Sequence, residues 1–245
     1  MRYLYVVAAL MLASVSAVAN AAIWAKSGIP IEAICDGLEP AVSPPVKSSD
    51  KSVQVALHCN GANIFLTVTR AGRVVQIGLP MIARDLWRPQ ELLWSPDGQQ
   101  FIVNGSENAY AGYAFVVVNL HDQNPTAREI TEAAQSDMVR RFPPCKAANH
   151  EDEICRRLER EPDFNMSVIT WTHDSRALIV MAEVPSSSSY GGIMGQVEGY
   201  EIDAASGRIL KRLSATQLKA RWQSEMAFTM TIPDPPTYGS DSRRR

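Results

Sequence analysis

Leu92-Leu93-Trp94-Ser95-Pro96-Asp97-Gly98-Gln99-Gln100-Phe101-Ile102-Val103 reads as an apolar strand ending in an aromatic, a tight turn, and a second apolar strand. Each turn position carries a residue suited to it. Pro96 presets φ, Asp97 can accept from the backbone ahead of it, and Gly98 tolerates positive φ. A second stretch, Val168-Ile169-Thr170-Trp171-Thr172-His173-Asp174-Ser175-Arg176-Ala177-Leu178-Ile179-Val180, keeps the same order with Thr-His-Asp-Ser in the turn. A third copy lies upstream. There Ser48-Ser49-Asp50-Lys51 precedes Val53-Gln54-Val55-Ala56-Leu57, whose alternation suits a strand with one buried face. Self-similarity of this kind is the mark of a fold assembled from stacked units.

The halves that follow these turns also match. Residues 64–70 and 73–79 make a hairpin about Ala71-Gly72; residues 113–120 and 127–131 make another with a longer turn; residues 199–204 and 208–213 make a third about Ser206-Gly207. Each unit is thus four short strands, and the unit occurs three times. Trp94-Ser95-Pro96-Asp97-Gly98 with its following apolar strand resembles the blade repeat of TolB-type, WD40-like β-propellers, over a span from Ser48 to Ser214. That resemblance implies four-stranded blades set radially about a channel. The expected fold is therefore mainly β: a small or incomplete β-propeller-like array of four-stranded units with a short helical insertion. Closed propellers have at least about four blades. A fourth is expected from the chain ends, using residues 22–26, 31–35 and a strand over 226–232. An open sheet array or a sandwich is the competing architecture.

Three segments read as helix. Residues 130–141 end before Pro143-Pro144, and residues 151–161 are short and charged; together they form an insertion over about 130–162. Residues 214–225 place Leu218 and Trp222 four apart on one face.

The amino terminus reads as a secretory leader over residues 1–21: a brief basic start at Arg2, an apolar run, and Ala19-Asn20-Ala21 as the cleavage signal. The apolar run is shorter than the ~20 residues a bilayer span needs. The expected organisation is a leader, one domain over 22–233, and a tail over 234–245, with the periplasm as destination. Removing Arg2 leaves 23 basic against 26 acidic residues, a net charge of −3. A mildly acidic domain has no general attraction to phosphate backbones or anionic lipid, so no nucleic acid and no membrane insertion are expected. Cys35, Cys59, Cys145 and Cys155 are an even set in an exported chain, which implies disulfides. Of the three possible pairings, Cys35–Cys59 with Cys145–Cys155 closes the shortest loops.

Catalytic signals are absent. No G-x-S-x-G elbow occurs, and only about 30 residues follow the repeats, too few for a hydrolase domain. His58, His121, His150 and His173 are scattered; His150-Glu151-Asp152-Glu153 is dense, but consecutive residues on a helix point apart. No cofactor, no metal and no catalytic residue are expected. Asp97 and Asp174 read as turn formers, and Trp94 and Trp171 as core between units. The loops between second and third strands differ. Two are long and carry Tyr110, Tyr113, Tyr190, Ile193 and Met194 among Ser, Gly and Asn, a composition common in recognition loops. The expected function is a non-enzymatic protein–protein interaction module using those five residues on a periplasmic or envelope partner. The alternative is a small-ligand or glycan-binding protein, or a hydrolase, using a channel mouth.

Overall fold

The computed structural model describes residues 24–31, 40–60, 63–80, 88–106, 113–144, 164–185 and 190–236. Three antiparallel sheets follow one another along the chain. The first joins β2 (Ala41–Val42) and β3 (Val46–Lys47) to β4 (Val53–Asn60), then β5 (Asn63–Arg70) and β6 (Arg73–Gly78). The second runs β7 (Arg88–Trp94), β8 (Gln100–Ser106), β9 (Tyr113–Asn119) and β10 (Thr126–Glu129), with β1 (Ile29–Pro30) added on the free edge of β7. The third runs β11 (Asn165–Trp171), β12 (Ala177–Glu183), β13 (Val197–Asp203) and β14 (Ile209–Ser214). The fold is mainly β and propeller-like, and each sheet is one repeat unit.

The three turns are built alike, atom for atom. The hydroxyl of Ser48, Ser95 or Thr172 donates to the carboxylate of Asp50, Asp97 or Asp174, at 2.6, 2.6 and 2.7 Å. The same hydroxyl accepts from the N–H five residues on, in Val53, Gln100 and Ala177, at 3.1, 3.0 and 2.9 Å. The aspartate then accepts from the N–H two residues ahead, in Ser52, Gln99 and Arg176. Its short side chain thereby closes the turn that a backbone carbonyl would otherwise have to close. The fourth turn residue has positive φ in every copy: Lys51 at 62°, Gly98 at 66° and Ser175 at 61°. Two of the three copies therefore carry a side chain where glycine is the relaxed choice.

Strand alternation gives the sheets their packing. One face of the second sheet presents Leu92, Phe101, Val103 and Val116 to Leu57, Leu66 and Val68 of the first. Its other face presents Leu93, Ile102 and Phe115 to Val168, Trp171 and Leu178 of the third. Trp94 and Trp171 occupy matching places, each at the end of its first strand and packed into the interface with the preceding sheet. Helix α1 (Glu132–Arg141) covers the second interface with Ala134 and Met138. Helix α2 (Ala215–Trp222) starts on a Ser214–Gln217 capping box and lays Leu218 on the outer face of the third sheet.

The expectation for the chain ends is corrected. Among the described residues the ends do not make the expected fourth blade. Trp24, Met226 and Met230 instead join α2 in capping the third sheet, linked by an isolated Ala25–Met226 bridge. Residues 226–232 carry no strand. Residues 22–26 and 31–35, as far as they are described, contribute only that bridge, and β1 lies between them. The competing sandwich is not seen either, since the sheets form a consecutive row. What holds the N-terminal segment is Glu91, a carboxylate with 0% exposure that accepts from the N–H groups of Trp24 and Ala25 at 2.9 and 3.0 Å. A Cβ on Gly28 would meet that carboxylate at 2.1 Å, so only glycine passes there.

Cys59 is disulfide-bonded. Cys35, Cys145 and Cys155, the leader, the 151–161 helix and most of the tail lie outside the described residues. Among the described residues no helix is long and apolar enough to cross a membrane.

Candidate functional site

The β5–β6 hairpin turns at Ala71-Gly72, with φ of 49° and 79°. Its register opposes Val68 to Val75 and Arg70 to Arg73. Residues two apart share a face. This hairpin end thus offers two valines and, one step outward, two arginines on the side that meets the second sheet. The second sheet answers with the segment after β9. Leu120 is anchored by its N–H to the Gln99 carbonyl at 2.9 Å, and the His121 N–H is held by Asn119 Oδ1 at 2.8 Å. The two walls enclose a cleft of about 360 Å³ lined by Val68, Arg70, Ala71, Arg73, Val75, Leu120, His121, Asp122, Gln123 and Pro125. Its floor is aliphatic and its rim polar.

The two guanidinium groups are not equivalent. Arg70 reaches across the interface, its Nη1 donating to the Leu120 carbonyl at 3.0 Å and its Nη2 to Gln99 Oε1 at 3.5 Å. Arg73 makes one long contact, from Nη2 to Asn124 Oδ1 at 3.3 Å. The Asp97 carboxyl lies just beyond. Burial pushes it up, but Ser95, the Gln99 N–H and the nearby His121 outweigh that and hold it below the usual range. Chemically, such a cleft can accept a small molecule that has an apolar body and an anionic group.

A second polar cluster is fully used by the fold. Asp137 on α1 is buried and accepts from Arg212 Nε and Nη2, both at 2.7 Å, from Arg140 at 2.9 Å and from the Tyr200 hydroxyl at 3.1 Å. Burial pushes its carboxyl up, yet Arg212, Arg140 and Tyr200 hold it below the ordinary range. Burial and the Asp137 charge push the Tyr200 phenol up. Beside them Arg141 forks onto Glu198 Oε1 at 3.0 and 2.6 Å. These bonds pin α1 to β13 and β14.

Among the described residues, the surface expected to meet a protein partner is not assembled. Tyr190 and Ile193 both have 0% exposure and sit in the core between the second and third sheets, with the Tyr190 ring 5.5 Å from Phe164. Met194 alone of the five is seen exposed, at 39%. Tyr110 and the side chain of Tyr113 lie outside the described residues. His58 bonds Thr67 and stacks on Phe65, His173 is an exposed turn residue, and His150 is not described. The described residues contain no group of three or more His, Cys, Asp or Glu side chains able to hold a metal. Sequence reasoning passed over Arg70 and Arg73. Their signal was present: two arginines bracketing a tight turn in an otherwise apolar hairpin. Their opposite wall lies some fifty residues away in the chain.

No protein-family model and no curated protein matches this chain. Solved structures that resemble it include one from Bacteroides fragilis named for 6-phosphogluconolactonase. The identity is 13%, with 73% of this chain and 40% of that chain covered and a TM-score of 0.32. Another is the periplasmic gluconolactonase PpgL of Pseudomonas aeruginosa, at 16% identity, 70% and 40% coverage and a TM-score of 0.33. The aligned region spans 40% of the length of each. At these scores the likeness assigns no activity. Of the expected partner surface, Tyr190 and Ile193 belong to the core. The expectation of a non-enzymatic protein-interaction module using that surface is corrected on this ground.

Proposed function

We propose that this protein is an exported, periplasmic small-ligand-binding protein built on TolB-type, WD40-like blades, with its site in the cleft between the first and second sheets. The observation that carries the reading is Arg70, Arg73 and His121 set around an aliphatic floor at a junction of two units. Ligand sites favour such junctions, and a small number of polar groups about an apolar floor is their usual make-up. The volume falls at the lower end of the range typical for small-molecule sites, ~300–1,000 Å³. A leader over 1–21, a single domain to residue 233 and a disulfide at Cys59 suit an oxidising compartment.

Thermal denaturation of the mature chain against a panel of organic and inorganic anions tests the site. An anion that raises the melting temperature in proportion to the logarithm of its concentration, and less so in high salt, is the expected result. A panel without effect would remove the reading. Amino-terminal sequencing of periplasmic material should begin at Ala22.

A further inference from the structure

Resting on that cleft as a binding site, we infer that its ligand is a small amphipathic monocarboxylate, with Arg73 as the side chain that selects the charge. The net charge of the rim sets the anion. Among the lining residues Arg70 and Arg73 bring two positive charges and Asp122 one negative, with the Asp97 carboxylate just beyond, so the cleft has room for no more than a single anionic group. A phosphate monoester, carrying close to two charges at neutral pH, would leave an excess beside Asp122.

The arginines divide the work. Arg70 holds the carbonyl of Leu120, a buried residue. Turning Arg70 toward a ligand would leave that carbonyl without its partner, a cost that follows any buried acceptor. Arg73 gives up only a 3.3 Å contact with a neutral amide oxygen at an exposed edge. Exchanging that partner for a carboxylate replaces a neutral hydrogen bond with a charge-assisted one, roughly twice as strong. Arg73 is therefore free to meet the ligand, while Arg70 is a positioning residue that keeps the two walls together.

The floor sets the body. Val68, Val75, Leu120, Ala71 and Pro125 are all aliphatic, and among the described residues no Phe, Tyr or Trp lines the cleft. A sugar or sugar acid would lay several hydroxyls over this aliphatic floor, whose acceptors on His121, Asp122 and Gln123 belong to the rim, and burying unpaired hydroxyls is unfavourable. A short alkyl chain or a single aryl ring fits the surface. At organic packing density a cleft of about 360 Å³ has room for roughly fifteen heavy atoms, so an acid of about ten fits within it.

The test is isothermal titration of the mature chain, at low ionic strength, with hexanoate, benzoate, gluconate and inorganic phosphate. Hexanoate or benzoate is expected to bind at least tenfold more tightly than gluconate or phosphate. Arg73→Gln should weaken that binding tenfold or more with an unchanged melting temperature, and Arg73→Lys should recover part of it. Arg70→Gln should lower the melting temperature instead. Tighter binding of gluconate or phosphate would overturn the ligand class while leaving the cleft as a site. Hexanoate binding that ignores Arg73→Gln would overturn the role of that residue. Failure of all four ligands to bind would remove both this inference and the reading beneath it.

Discussion

The junction between the second and third sheets and the junction between the first and second use the same unit, yet they are joined differently. At the second–third junction the side chain of Asn104 bonds both the N–H and the carbonyl of Val168, at 3.0 Å each. Trp171 Nε1 donates to the Leu93 carbonyl at 3.2 Å, and Ser175 and Gln100 tie the two turns together. The first–second junction has a comparable apolar core but, among the described residues, no such zip. Its tryptophan, Trp94, has a buried Nε1 with no hydrogen-bond partner. The reason lies in the first strand. By the repeat, Val46 stands where Leu93 stands one unit later, but Pro44-Pro45 break that strand into the two-residue pieces β2 and β3. Arginines at the rim then make the polar connection, and a cleft remains beside them. Where the repeat is kept, side chains zip the interface; where it is broken, Trp94 Nε1 is left without a partner.

The largest effect expected from breaking the tighter junction is Asn104→Ala. It removes two buried hydrogen bonds and leaves two backbone groups unpaired, so urea unfolding should show a loss of about 4 kcal/mol. Asp137→Asn, which strips the α1 anchor of its charge, should cost about 3 kcal/mol. This carboxyl is held below its ordinary range in the folded chain. Its stabilisation is therefore complete above about pH 4, the unfolded value, and is lost as pH falls through the lower folded one. Acid unfolding of Asp137→Asn should accordingly be shallower than that of the wild type.

The tryptophans sharpen the contrast. Trp171→Phe should cost about 1.5 kcal/mol beyond Trp94→Phe, because only Trp171 loses a hydrogen bond. Equal costs in chemical denaturation would show that the junctions do not differ there. The smallest effects concern the turns. Gly98→Ala should cost about 1 kcal/mol and Lys51→Gly should add about 0.5 kcal/mol, since both residues hold positive φ.

Much of the architecture was legible in the residues because turn chemistry is local. Ser95, Pro96, Asp97 and Gly98 announce their turn, and the Ser48 and Thr172 copies keep the two groups that matter, a hydroxyl and an aspartate two residues later. Helices α1 and α2 were legible for the same reason, through apolar spacing and the prolines that end the first. The first strand of the first unit was hidden, since Pro44-Pro45 contradict a strand on local grounds and only pairing with β4 restores it. Tyr190 and Ile193 misled because a Ser- and Gly-rich segment looks exposed until a neighbouring sheet is placed over it. The fourth blade failed for a related reason: Trp24, Met226 and Met230 have the apolarity of strands, but they pack with α2 on the outer face of the third sheet, joined among the described residues by the Ala25–Met226 bridge. The cleft depends on two hairpin ends meeting, which no local pattern records.

Native-state hydrogen exchange compares the two junctions in one experiment. Amides of Leu66 and Val68 in the first sheet should exchange through an opening about 2 kcal/mol easier than those of Val116, Val168 and Val180. Equal protection across all three sheets would contradict the account, because it would mean that the missing zip at Trp94 carries no energetic difference.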